Sequence, residues 1–326
     1  MRDPLFSPAT LVLVTLFCVL TSAGQEKRTP NGVQQQPQIV NSMPLAEVRQ
    51  KATHGDARAQ FILGKAYFTG SGVVQDYGEA ARWYAAASAQ NLADAQVSLG
   101  NLYEQGKGVA KDYREAFHYY RAAALQGEPT AENNLASLYE HGQGTTRNPE
   151  EAFDWYLASA VAGNPIGQCN LASMYFVGRG IRRDYEQAAR WFRAAAEQGI
   201  PEAQNLLAVM YYKGDGVSRN YAEAANWARR AAEQGYPPAQ TDLAYMYEQG
   251  KGVPLDYVAA YTWHSVAAAA RERHSAARLK NLAHLMLPEQ VRTAKAHAAE
   301  WAQQHAASGH APANETSDSL TMLPRN

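Results

Sequence analysis

The sequence predicts an all-α protein built as a solenoid of paired helices, and three observations carry that prediction. A 36-residue pattern tiles Asp56 to Arg271 six times without insertion or deletion, and such a period is the mark of a repeat architecture. Leucine and tyrosine recur in each repeat at i+4 and i+8 from an alanine that five of the six keep, Gly167 standing in the fourth, one stripe of a helix. Two glycines and a polar residue then separate this stripe from a second apolar helix.

At the N-terminus, Leu11 to Leu20 is a ten-residue apolar run, preceded by Arg2 and followed by Thr21-Ser22-Ala23. That is the pattern of a signal peptide spanning 1–23, with small residues before the cut. A membrane-spanning helix needs about 18 or more apolar residues. A periplasmic or secreted protein follows, the alternative being a chain anchored by an uncleaved N-terminal segment. Residues 24–44 are rich in Gln and Pro and read as a disordered linker. Leu45 to His54, closed by Gly55, matches the second half of a repeat and forms an N-terminal cap, so the array covers 45–271.

The first helix of each repeat, helix A, carries Leu63, Leu99, Leu135, Leu171, Leu207 and Leu243, then Tyr67, Tyr103, Tyr139, Tyr175, Tyr211 and Tyr247. Glycine pairs follow, from Gly70/Gly72 to Gly250/Gly252. A phosphate loop would occur once, with a lysine or hydroxyl at a fixed offset. Six loops that keep only glycine spacing are corners, where a left-handed residue ends a helix. Asp76, Asp112, Asn148, Asp184, Asn220 and Asp256 cap helix B, with Glu or Gln three residues on in five of six, the spacing of a capping box. Helix B pairs an alanine with an aromatic three residues later, as in Ala188 and Trp191, and truncating a buried Trp191 is expected to cost ~3–5 kcal/mol. Capping helices over 272–307 and a disordered tail over 308–326 close the chain.

Residues 95–127, "AQVSLGNLYEQGKGVAKDYREAFHYYRAAALQG", resemble the Sel-1-like repeat family, relatives of tetratricopeptide repeats. The resemblance covers about 56–271 and a C-terminal "PEQ" helix. It implies a right-handed α-solenoid superhelix of helix–turn–helix units whose A helices line the concave side. It also implies an adaptor or scaffold for protein complexes. Some cysteine-rich secreted relatives are described as weak β-lactamases, which keeps an enzyme or enzyme-like small-molecule-binding protein as the alternative. Their paired cysteines are absent here.

Composition narrows the partners. Thirty basic and 31 acidic residues give a net charge of −1 without a basic run, which argues against nucleic acid. The expected partner is a protein or peptide segment bound by a monomer. No catalytic residue, cofactor or metal site is assigned: Cys169 reads as a surface or groove thiol, and His297, Glu300 and His305 as a solvated helix end. Specificity is expected where repeats differ, on the face of helix A opposite its stripe. That face is polar in the second and third repeats and apolar in the fourth to sixth. The candidate partner-binding residues are Asn133, Ile166, Phe176, Asn205, Val209, Tyr212 and Tyr245: the rings as anchors in the groove or, alternatively, as peripheral core tucked against neighbouring repeats, the two asparagines as holders of a peptide backbone. A pocket gathering groups of shifted pKa would favour the enzyme reading instead.

Overall fold

A computed structural model describes residues 43–270 and 272–306. The expected signal peptide, most of the linker and the tail lie outside them. Two compact units divide the chain after Gln198, between the fourth and fifth repeats. The N-terminal unit holds α1 (Leu45–Thr53), α2 (Ala57–Thr69), α3 (Tyr77–Ser88), α4 (Ala93–Gln105), α5 (Tyr113–Ala124), α6 (Pro129–His141), α7 (Pro149–Val161), α8 (Pro165–Val177) and α9 (Tyr185–Glu197). The C-terminal unit holds α10 (Pro201–Lys213), α11 (Tyr221–Glu233), α12 (Pro237–Gln249), α13 (Tyr257–Ala269), α14 (Arg273–Leu285) and α15 (Pro288–Ala306). These fifteen are all helical, with no strand among the described residues. Within each unit consecutive helices pack on one another up to α14, whereas α15 packs on α13, which carries both α14 and α15.

The corners form as the glycines require, with a second reason attached. Gly142 ends α6 at φ +68°, and Gly144 follows at φ +70°. A Cβ on Gly144 would stand 2.0 Å from the carbonyl oxygen of Tyr113, the first residue of the preceding repeat's helix B. Gly108 meets Tyr77 at 2.2 Å, Gly180 meets Pro149 at 2.4 Å and Gly252 meets Tyr221 at 1.9 Å in the same way. The first glycine turns the chain; the second lets one repeat touch the last.

Each helix-B cap accepts from backbone N–H groups of its first turn, as Asp112 does from Arg114 and Glu115. The reciprocal half of the capping box does not form. The caps' own N–H groups donate instead to the carbonyls of the helix-A tyrosines, Asp76 to Tyr67 and Asp112 to Tyr103 at 2.9 Å. An N–H already used to lock the corner is not open to a glutamate.

The core rings also sit one residue later than the aromatic spacing indicates. Trp191 is only half-buried, whereas Phe192 beside it is 0% exposed, as is Tyr120, with Tyr156 at 2%. Trp227 is the exception among the tryptophans.

A buried glutamine ladder runs behind helix A. Gln60, Gln96, Gln168 and Gln204 accept hydrogen bonds of 2.7–2.9 Å from Gln90, Gln126, Gln198 and Gln234 at the ends of their own helix B. The third and sixth repeats end helix B with Ala162 and Ala270 instead. There the acceptors are left alone: Glu132 Oε2 and Gln240 Oε1 are buried without a partner. Burial, with the Glu128 charge adding to it, pushes the Glu132 carboxyl above its ordinary value.

Three stability outcomes follow. Gly127→Ala, with open space around it, should cost about 1–2 kcal/mol through its left-handed backbone. Gly144→Ala should cost a further ~1–3 kcal/mol for the forced displacement of Tyr113, and equal urea midpoints for the two would refute the contact reading. Phe192→Ala should cost ~3–5 kcal/mol, with Trp191→Ala well below it. Ala162→Gln should stabilise by about 1 kcal/mol by supplying the ladder's missing donor. A carboxyl raised in the fold gives stability below its unfolded pKa that is lost as pH rises through the folded value. The donor lowers that folded value, so the gain at pH 7 should exceed the gain at pH 4.

Candidate functional site

Helix A turns one side to its neighbours and leaves its third, sixth, tenth, thirteenth and fourteenth positions on the other. The structure places the seven candidates there unevenly. Ile166 and Val209 are half-buried, while Asn133, Phe176, Asn205, Tyr212 and Tyr245 are buried.

The three rings belong to the packing, the peripheral-core alternative to their standing free as anchors. Phe176 is 5% exposed and meets Tyr185 and Phe192 at centroid distances of 5.1 and 6.3 Å. Tyr212 packs edge-on to Tyr221 at 5.0 Å and accepts a 2.6 Å hydrogen bond from Lys251 Nζ. The Arg278 guanidinium lies 5.8 Å from the Tyr245 ring. The thirteenth position of helix A has its counterpart sixteen residues on, in the second helix of the same repeat: Phe68, Glu104, Glu140, Phe176, Tyr212 and Glu248 are followed by Tyr84, Tyr120, Tyr156, Phe192, Ala228 and His264. A glutamate faces a ring with a polar tip: Tyr120 Oη is 2.6 Å from Glu104 and Tyr156 donates to Glu140 at 3.0 Å. A phenylalanine faces Phe192, and the large Tyr212 is matched with the small Ala228. In the fourth repeat the aromatic side chain of helix A is thus matched by a ring of the second helix.

The asparagines differ from each other. Asn133 is used at both ends of its amide, accepting from Asn170 at 2.9 Å and donating to Asn134 at 3.2 Å. Asn134 donates onward to Asn101 at 3.3 Å, which joins α8, α6 and α4 in one amide chain. This arrangement positions helices and leaves Asn133 poorly suited to hold a peptide. Asn205 is 5% exposed, and its Oδ1 has no hydrogen-bond partner. Its side chain hydrogen-bonds Asp242, a half-buried residue of α12. Burial, first of all, pushes the Asp242 carboxyl up to about 7; Asn205 and the Lys213 charge pull it down, and Glu272 adds to the rise. Burial also raises Glu202 on α10.

Two groupings bear on catalysis. Ser275 Oγ lies 3.0 Å from His264 Nδ1, and His264 Nε2 lies 3.8 Å from Glu248 Oε2. The order imitates a nucleophile relay, and reading the sequence alone does not find it, because α14 brings the serine in from outside the repeats. Ser275 and His264 are both 0% exposed, and Ser275 Oγ is shared with Thr241 at 2.8 Å, so the relay is sealed from substrate. It fastens α14 to α12 and α13, with Arg278 donating to Glu248 at 3.1 Å. His264 foremost holds the Glu248 carboxyl below its ordinary value; burial opposes this and Arg278 reinforces it. Cys169, expected as a surface or groove thiol, is 1% exposed. His305 stacks on Trp301, and its ring nitrogens lie 2.8 and 3.0 Å from the carbonyls of Trp301 and Glu233.

Two measurements test this placement. Phe176→Ala should destabilise by ~3–5 kcal/mol; unchanged melting would restore it as a free anchor. A raised aspartate gives stability below about 3.8, its ordinary pKa, that is lost as pH rises toward about 7. Asp242→Asn should therefore gain on the wild type between pH 4 and 8, and a constant difference in urea midpoint would contradict the burial.

The comparisons agree on the architecture. The Sel1 repeat model matches residues 57–92, 93–128, 129–164, 165–200, 201–236 and 237–271. A protective antigen of uropathogenic Escherichia coli strains, displaying an SLR fold, is 35% identical with a TM-score of 0.72 over 82% of this chain and 57% of its own. The chain thus spans little more than half of that antigen's length. A Sel1 repeat protein from Oxalobacter formigenes is 31% identical with a TM-score of 0.61, over 68% of this chain and 92% of its own. No curated protein matches the chain.

Proposed function

We propose a function from one premise: the chain belongs to the Sel1 repeat family, whose members are typically protein-interaction scaffolds. The protein is an exported, non-catalytic adaptor that docks a segment of another protein on the free side of helix A. The observation that supports this best is Asn205 Oδ1, a buried acceptor without a partner beside the half-buried Val209. An N–H from a bound backbone would satisfy the acceptor, and an apolar partner side chain would cover Val209. Tyr212 and Tyr245 then form the wall behind the site rather than its anchors. Ile166 offers an apolar contact of the same kind on the N-terminal unit.

Export rests on the Leu11–Leu20 run. Among the described residues no helix is long and apolar enough to cross a membrane. Sequencing the exported protein should find Gly24 first; an intact Met1 would overturn cleavage.

For the docking face, a photo-crosslinking amino acid should be placed at Val209, with the exposed Arg190 of α9 as control. A discrete adduct from Val209 alone is expected. Asn205→Ala should weaken that partner about tenfold, alongside a fall in melting temperature from the lost hydrogen bond to Asp242. Equal labelling from both positions, or an unchanged affinity, would remove the site from helix A.

A further inference from the structure

We propose that the third repeat carries a binding notch for a guanidinium group, formed by the Glu132 carboxylate and the Gly127 carbonyl beside Ala162. The chain itself supplies the template. In the first and fourth repeats the terminal amide of Gln90 or Gln198 bridges two acceptors. One is the side-chain oxygen of Gln60 or Gln168, at 2.9 and 2.8 Å; the other is the carbonyl of Gly55 or Gly163, at 2.9 and 3.2 Å. The corresponding residues of the third repeat are Glu132, Gly127 and Ala162. Both acceptor positions are kept, and the donor is reduced to a methyl group.

Three features select the ligand. The position of Glu132 holds glutamine in the other five repeats, so here alone it presents a negative charge. Glu132 is 7% exposed and its Oε2 has no partner, so the site lacks a donor rather than a further acceptor. Glu128, whose carboxylate caps α6 by accepting from Ala131 at 2.6 Å, adds negative charge nearby. A neutral amide suffices for the ladder. A carboxylate next to a carbonyl is matched better by the planar, charged N–H fork of a guanidinium. Gly127, Ala162 and Gly163 are exposed, so an arginine side chain of a partner can approach from outside along the path that Gln126, Gln198 and Gln234 follow within the chain. This site uses none of the residues of the proposed docking face and stands apart from that reading.

The test is a titration of the ¹⁵N-labelled protein with ethylguanidinium chloride, against sodium chloride at equal ionic strength. Saturable shifts are expected at the amides of Gly127, Ala131, Ala162 and Gly163. Glu132→Gln, which restores the residue of the other repeats, should keep the fold and weaken binding at least tenfold. Ala162→Gln, which fills the notch from within, should abolish the saturable shifts. Wild-type shifts no different from those of sodium chloride would overturn the proposal, as would equal affinity in either variant.

Discussion

The contact between a glycine and the backbone of the preceding repeat is the constraint on which the rest depends. Gly108, Gly144, Gly180 and Gly252 each lie where a Cβ would fall within 2.4 Å of the first helix-B residue of the repeat before. No side chain fits at that separation, so the repeat-to-repeat spacing inside each unit is fixed by backbone meeting backbone. Position in the array then decides what the loop residue between the glycines can do. Lys107 reaches the Phe68 and Tyr77 rings at 6.0 and 5.7 Å, Arg179 pairs with Glu140, and Lys251 donates to Tyr212. The corners thus also carry cations back over the neighbouring helix.

Much of the variation between repeats is compensation inside the fold. Gly167 replaces the usual alanine of its position because Ser159 lies opposite; a Cβ there would stand 2.3 Å from Ser159 Oγ, which donates to the Pro129 carbonyl. Glu104 and Glu140 occur with Tyr120 and Tyr156, and Phe176 with Phe192. Each change has its counterpart across the helix pair. A residue that differs between repeats therefore signals partner binding only after its internal counterpart has been found. Asn205, Glu132 and Gln240 each keep a hydrogen-bond acceptor without such a counterpart.

This separates what could be read along the chain from what could not. The six repeats, the glycine corners and the caps Asp76 to Asp256 were legible, because each depends on chemistry within a few residues: periodicity, left-handed backbone and a side chain reaching the next turn. Of the candidate site, Ile166 and Val209 are half-buried, while Phe176, Tyr212 and Tyr245 are covered. A glutamine at a fixed place in five repeats was visible too, but its meaning was hidden by the thirty residues separating Gln60 from Gln90.

The sequence by itself determined that paired helices recur, that glycine ends helix A and which residue caps helix B, since those features follow from local backbone preferences and one apolar stripe. Only the tertiary structure decided which polar groups are satisfied and which rings are covered, because both depend on side chains from helices that meet through packing. Asn133 and Asn205 hold the same position in their repeats. Asn170 completes the amide of Asn133 at 2.9 Å, whereas Asn205 Oδ1 remains without a partner. Their difference lies entirely in the neighbouring helix.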